Sequence, residues 1–535
     1  MRLTALLGIA LLLALPAQAQ GPTPLPARLQ DFDHYVDQVR EQFDVPGIAV
    51  AIVKDGQVVL ARGYGVKEIG KPERVGPDTL FAIASNTKAF TAASLQILAD
   101  EGKLDMDDRV VERLPGFRMA DPYITHEMRI RDLLAHRSGL SLGAGDLLYW
   151  PTTDYSNAEV VQHLAQVPIK GEFRAQYAYD NILFGVAQQV IERVSGLSYE
   201  QFLRQRLFGP LGMSRTRFNS DRLQPGDDVA SGHSKQDFSK LVVAPRMTWS
   251  NVAGAGGIYS SVDDLARWVR VQLDGGVISG SGDDAKRLFS ERAQREMWSM
   301  LTPIPVPKPA VPELAAATPN FMGYGEGWFL GDFQGRKLVW HTGGWPGMVS
   351  RITLVPQEKL GVIVLTNQEV GAAFNAVTLQ VLEAYLAPQQ RTDWLVAYAA
   401  AVAKSQGEAD AAWQKHLTQR DAGAKPSLPA SSYAGTYRDP WYGDVLITQE
   451  GDQLVMRFSH TAELVGTLEH WQHDSFIVHW RQRWLNADAF VNFALDVDGR
   501  VTGASMQAVS PLTDFSFDFQ DLQLPRVRDE GADDQ

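Results

Sequence analysis

Two groups of β-hairpins stand at opposite ends of one long segment, with helix-forming sequence between them, and this arrangement constrains the fold most. GIAVAIVKDGQVVLARGYG, residues 47–65, alternates apolar and polar positions around a turn at Lys54-Asp55-Gly56. Far downstream, GWFLGDFQGRKLVWHTGG (327–344) turns near Gln334-Gly335, and RITLVPQEKLGVIVLTN (351–367) turns at Gln357-Glu358-Lys359. A lone hairpin is marginal in water, so these strands must join in one sheet. Leu29, Phe32, Tyr35, Val36, Val39 and Phe43 recur with helical spacing before the first hairpin. The middle, to about residue 270, is mostly helical and looped. The expected first unit is therefore an α/β (α+β) domain, a mixed antiparallel sheet flanked by helices and carrying a helical insertion.

The rest of the 535-residue chain reads differently. Residues from about Gln389 to Leu417 form a polar, alanine-rich helical stretch, and AGAKPSLPA after it has linker composition. Then short alternating segments recur (YAGTYR, DVLITQ, QLVMRF, SFIVHW, AFVNFALD, VTGASMQAV), broken by Glu450-Gly451-Asp452 and Asp498-Gly499. That spacing predicts a small all-β barrel or sandwich. The expected boundaries are a signal peptide over 1–19, the first domain over 20–387, a helical linker over 388–430, the β-domain over 431–525, and an acidic tail over 526–535.

The signal peptide is read from MRLTALLGIALLLALPAQAQ: Arg2, an apolar run from Leu3 to Leu15, and Ala17-Gln18-Ala19 as a small-x-small cleavage site. The run is short for a membrane span, so a periplasmic or secreted protein with no stable membrane span is expected. The chain has no cysteine, which excludes disulfides and thiol chemistry. Its net charge of −13, without a basic stripe, argues against nucleic acid as a partner. His470, His473 and His479 lie on a strand pattern that scatters their side chains, and no metal is expected there. Trp441, Trp471, Trp480 and Trp484 read as core aromatics.

Chemistry concentrates in three elements. FAIASNTKAFTA places Ser85 and Lys88 three apart at a helix start, so the lysine lies one turn along on the serine's face. The positive end of that helix favours a developing alkoxide. Tyr179-Asp180-Asn181 opens a second helix, and His341-Thr342-Gly343-Gly344 ends a strand. Each has a plain structural alternative: Ser85 and Asn181 as helix caps, His341 as a satisfied strand histidine. His136, in LLAHRSGL, reads as a residue tying a loop to backbone.

Ser-x-x-Lys, Tyr-x-Asn and His-Thr-Gly in this order resemble the serine β-lactamase and penicillin-binding-protein superfamily, most closely its class C β-lactamase, esterase and D-aminopeptidase branch. MRIRDLLAHRSGLS, YEQFLRQRLFGPLGM and AGAGGIYSSVDDLARW agree with it. The resemblance covers roughly Leu29 to Ala387, and the trailing domain resembles the lipocalin-like domain of unknown function fused to such hydrolases. It implies a cofactor-free serine hydrolase that forms an acyl-enzyme on Ser85, with Lys88 or Tyr179 as the base. Asn181 would orient Lys88 and substrate, and the N–H groups of Ser85 and Gly344 would hold the oxyanion. The glycine pair would let substrate backbone come close. Where β-lactamases carry lysine, this chain has His341, ordinarily neutral near pH 7 and a poor anchor for a carboxylate. Weight therefore moves to amide cleavage in small peptides (D-aminopeptidase-like). The alternatives are a carboxylesterase, a weak β-lactamase or DD-peptidase, and a non-catalytic penicillin-binding or interaction module. Expected partners are small peptide, amide or ester substrates and a second copy of the chain in a homo-oligomer.

Overall fold

The computed structural model describes residues 24–528. The leader read over 1–19 and the tail from residue 529 onward lie outside the described residues.

The hairpins do join in one sheet. Eight antiparallel strands run in the order Thr302–Ile304, Met322–Tyr324, Phe329–Phe333, Arg336–Trp345, Met348–Val355, Leu360–Thr366, Gly47–Lys54, Gln57–Gly65. The N-terminal hairpin enters through Ile48 opposite Thr366 and Lys54 opposite Leu360. Its turn has both Asp55 and Gly56 at positive φ (50° and 76°), as has the Gln334-Gly335 turn (52° and 74°). These are the two-residue turns whose twist matches a hairpin.

The sheet divides two cores by alternation. Ile48, Val50 and Ile52 face the helices Phe32–Gln42 and Gly371–Leu386, whereas Ala49, Ala51 and Val53 face the helical middle. Val362 and Val364 against Ile363 and Leu365 repeat the pattern. A strand covered on both faces reads as a continuous apolar run, as GIAVAIV does. The middle helices Thr87–Asp100, Ile182–Ser195 and Val262–Leu273 form the layer that carries the site.

The stretch read as a linker is the helix Trp394–Gln419, docked at both ends. Trp394 is fully buried beneath the sheet, and Trp413 packs on Trp471 of the β-domain at 5.4 Å between rings. That domain is an eight-stranded antiparallel barrel running from Gly435–Asp439 to Leu524–Pro525. A bridge between Tyr437 and Arg526 brings its first and last strands together, so it is nearly closed. The strand Val465–Gln472 went unread in the sequence because glycine, glutamate and histidine blur its alternation. Trp441 and Trp480 are buried in this barrel. His470 bonds the His473 carbonyl and His479 bonds Asp488, so these histidines serve local contacts. Among the described residues no helix is long and apolar enough to cross a membrane.

Candidate active site

Ser85 sits in a short 3₁₀ turn, Ala84–Asn86, leading into the helix Thr87–Asp100. Ala84 has φ +46°, a costly conformation for a residue with a Cβ, and it turns the serine outward. From Phe81 to Phe90 only Ser85 is other than buried. Its hydroxyl makes no cap bond at this helix start.

Lys88, one turn on, is fully buried. Its Nζ lies 2.9 Å from Ser85 Oγ, 2.6 Å from Asn181 Oδ1 and 3.2 Å from the Ala255 carbonyl. Asn181 stands at the start of the helix Ile182–Ser195, also without capping it. Its Nδ2 donates to Asp146 Oδ2 at 2.9 Å, which fixes Oδ1 toward the lysine. Burial pulls the Lys88 pKa down to about 7 against the opposing charges of Asp146 and Asp180. Those two buried carboxyls are themselves pushed up to about 7, chiefly by desolvation.

The Tyr179 ring lies 4.8 Å from Lys88 Nζ and shields it from water. Burial drives the Tyr179 pKa well above 10, with the Ser85 hydroxyl a partial offset. His136 braces this segment: its Nδ1 accepts the Asp180 N–H at 3.2 Å and its ring sits 4.1 Å from that of Tyr179. Asp180 accepts from Ser138 at 3.1 Å.

The strand Arg336–Trp345 supplies the opposite wall. Beyond Trp340, where its pairing with Phe329 begins, one edge has no partner strand. His341 is 1% exposed, its pKa held well below 6.5 by burial and by Lys88. Its Nε2 pairs with the Tyr324 hydroxyl at 2.8 Å and its Nδ1 with the Thr342 carbonyl at 2.5 Å, so a neutral imidazole is fully used. Thr342 pairs with Arg351, whose side chain reaches Asn375 on the far helix.

The glycine pair divides its duties. A Cβ on Gly344 would meet nothing within 4 Å, and this is the residue open to a substrate. A Cβ on Gly343 would stand 2.1 Å from the Ile83 carbonyl and 2.6 Å from Ser350 Oγ, so Gly343 serves the protein's own packing rather than substrate approach. Ser350 itself donates to Ile83 O at 2.7 Å, which pins the strand to the serine turn. Gly343→Ala is therefore expected to cost about 3 kcal/mol and to displace Ser85, while Gly344→Ala leaves the unfolding midpoint unchanged. Urea denaturation of the two variants checks this.

These residues enclose a cavity of about 320 Å³. All eight sequence-predicted residues except Lys88 and Gly343 line it, and those two stand directly behind its wall. Tyr177, Trp249 and Phe329 make its walls aromatic.

The remaining wall was invisible to sequence reasoning. Asp514, Phe515 and Ser516, on a loop of the β-domain, line the same cavity. Phe515 meets Tyr179 edge-to-face at 6.0 Å, and Ser516 Oγ donates to Asp146 Oδ2 at 2.8 Å. Asp518 accepts the N–H groups of Gly145 (2.7 Å) and Leu147 (3.1 Å), on the turn that carries Asp146. No motif marks this loop, because its residues act only once two distant units dock.

Comparison with known proteins agrees with this architecture. Residues 32–386 match the Beta-lactamase family, and residues 419–526 match a domain of unknown function, DUF3471. The unguisins hydrolase of Aspergillus campestris (strain IBT 28561) is 28% identical over 434 residues, 78% of this chain and 77% of that protein. The octameric penicillin-binding protein homologue from Pyrococcus abyssi superimposes with a TM-score of 0.59 at 21% identity, over 93% of this chain and all of its own. The D-amino acid amidase from Ochrobactrum anthropi SV3 does so with a TM-score of 0.55 at 22% identity, over 68% and 100%. With the family match extending over most of the chain and the Ser85–Lys88 pair set in its fold, the chain belongs to the beta-lactamase family of serine hydrolases.

Proposed function

We propose that Ser85 is acylated by small peptide amides and that Lys88 is the base that activates it. The observation that carries this reading is the coordination of Lys88 Nζ. A neutral amine has two N–H donors and one lone pair. The Asn181 Oδ1 and Ala255 carbonyl can only accept, so they take both donors and turn the lone pair to the Ser85 hydroxyl. A pKa of about 7 lets that amine take the serine proton and release it again.

The Ser85 oxygen bonds to the carbonyl carbon as its proton passes to Lys88. The N–H groups of Ser85 and Gly344 would meet the oxyanion. As the C–N bond breaks, the leaving amine takes a proton from the Tyr179 hydroxyl, replaced from the Lys88 ammonium. Tyr179 thus relays a proton without persisting as an anion, which its raised pKa forbids. Water then repeats the sequence on the acyl-enzyme. A neutral His341 gives the cavity no cation for a free carboxylate, which supports amides and esters over carboxylate-bearing lactams. The name of the D-amino acid amidase neighbour supports the amide class, and D-residues are included in this proposal. Export through the leader-like N-terminus and a homo-oligomer are parts of the same proposal.

The test is a panel of D- and L-aminoacyl p-nitroanilides, p-nitrophenyl esters and nitrocefin. Faster Ser85-dependent turnover of the anilides than of nitrocefin supports the reading, and nitrocefin as the best substrate overturns it. The pH profile follows from Lys88. Protonation removes the lone pair, so kcat/KM is expected to fall tenfold per unit below about pH 7 and to level off above it, with no alkaline fall before pH 10.

A further inference from the structure

The catalytic cavity opens into a second one of about 410 Å³, between the end of the strand Arg336–Trp345, the helix Trp394–Gln419 and the β-domain. The two share Trp150, Gly344 and Asp514, so a chain passing Gly344 on its way from Ser85 enters it directly. Its walls are apolar, with Trp345, Trp484 and Leu512 prominent.

Its polar lining combines two acidic side chains, Glu369 and Asp514, with the amides of Gln368, Gln406 and Asn486. Asp514 opens onto it and accepts the Ser516 N–H at 2.9 Å. Glu369 also opens onto it, held by the Ser234 hydroxyl and by the Gly347 N–H at 2.8 Å. Gln368, 3% exposed, lines it with an Oε1 that has no hydrogen-bond partner. The one lysine at its border, Lys235, is paired with Asp44 at 2.7 Å. Asp514 and Glu369 repel each other across this cavity, and among the described residues neither is paired with a cationic side chain, while the buried Gln368 Oε1 beside them has no partner.

We propose that this second cavity is a subsite for a cationic, partly apolar group of the substrate. An ammonium or guanidinium near the scissile carbonyl is held by Asp514 and Glu369, gives an N–H to Gln368 Oε1, and lays its stem on Trp345 and Trp484. The inference rests on Ser85 being the acylated residue, because that makes the adjoining cavity part of a substrate cleft. The same chemistry could come from a peptide's α-ammonium or from a lysine side chain.

Calorimetric binding to Ser85→Ala protein, which cannot turn substrate over, tests it with three probes: Phe-norleucine amide (α-ammonium alone), acetyl-Phe-Lys amide (side-chain cation alone) and acetyl-Phe-norleucine amide (neutral). At least one cationic probe is expected to bind tenfold or more tightly than the neutral one, and which of them does so identifies the source. Asp514→Asn and Glu369→Gln, each in the Ser85→Ala background, are expected to cut that ratio at least fivefold. If one of them fails to fold, the other still decides. Raising the salt concentration is expected to shrink the ratio in the parent. Equal affinity for cationic and neutral probes overturns the proposal, as does a preference that survives both substitutions. A charge preference without Ser85-dependent turnover of the panel above would sink the catalytic reading and leave the cation site standing. Ser85-dependent turnover without charge preference would do the reverse.

Discussion

Lys88→Met is expected to lower kcat by about 10³- to 10⁴-fold while leaving the protein folded and no less stable near neutral pH. The rate loss follows from removing the proposed general base, 2.9 Å from Ser85 Oγ. Stability moves the other way. A pKa moved from 10.5 to about 7 means that folding strips the amine of favourable solvation, a penalty of about 5 kcal/mol at one pKa unit per 1.36 kcal/mol. Because the folded pKa is the lower one, that penalty is fully present below about pH 7 and vanishes as pH rises through 10.5. Methionine fills the same space without it, but leaves Asn181 Oδ1 and the Ala255 carbonyl without their donor, at roughly 1–3 kcal/mol each. The two nearly cancel at pH 7. The parent should therefore gain stability between pH 7 and 10 relative to Lys88→Met. Urea unfolding at both pH values, beside steady-state rates, checks both halves. A variant that unfolds, or one that keeps its rate, contradicts the assignment.

Asp518→Ala is expected to cost about 3–5 kcal/mol in stability and 10- to 100-fold in kcat. Its carboxyl is the acceptor for two backbone donors, Gly145 and Leu147, in a buried place where no other group stands in. Each orphaned N–H costs roughly 1–3 kcal/mol. The effect reaches the chemistry through a continuous path: the turn after Gly145 carries Asp146, Asp146 holds Asn181, and Asn181 holds Lys88. Asp518→Asn keeps one acceptor oxygen and should lose about half as much. Thermal unfolding and the kcat ratio of the two variants test the path. Equal losses in both, or a kcat unchanged in a destabilised Asp518→Ala, would show that the β-domain supports the fold without reaching the site.

The parts of this molecule legible in its sequence are those fixed by local pattern. Apolar alternation around Asp55-Gly56 and Gln334-Gly335 placed the hairpins, because such turns require residues that tolerate positive φ. Ser85, Lys88, Tyr179 and Asn181 could be named because their three motifs resemble those of a known family, and the fold does bring them together. Which group is the base could not be named, since both candidates depend on burial, and burial lowers the lysine while raising the tyrosine. Gly343 was misjudged for a similar reason: the carbonyl it must avoid, Ile83, arrives from far along the chain. The β-domain loop was missed entirely. Ser516 and Asp518 are ordinary turn residues until docking sets them against Asp146 and the turn after Gly145.

The proposed chemistry depends above all on a covalent bond at one hydroxyl. Rapid quenching of the protein with a p-nitrophenyl ester of an N-acylated D-amino acid, followed by intact-mass and peptide mapping, measures it directly. The expected result is one acyl group per chain, on the peptide bearing Ser85, gone in Ser85→Ala together with turnover. An adduct on another residue, or undiminished turnover in Ser85→Ala, would contradict it.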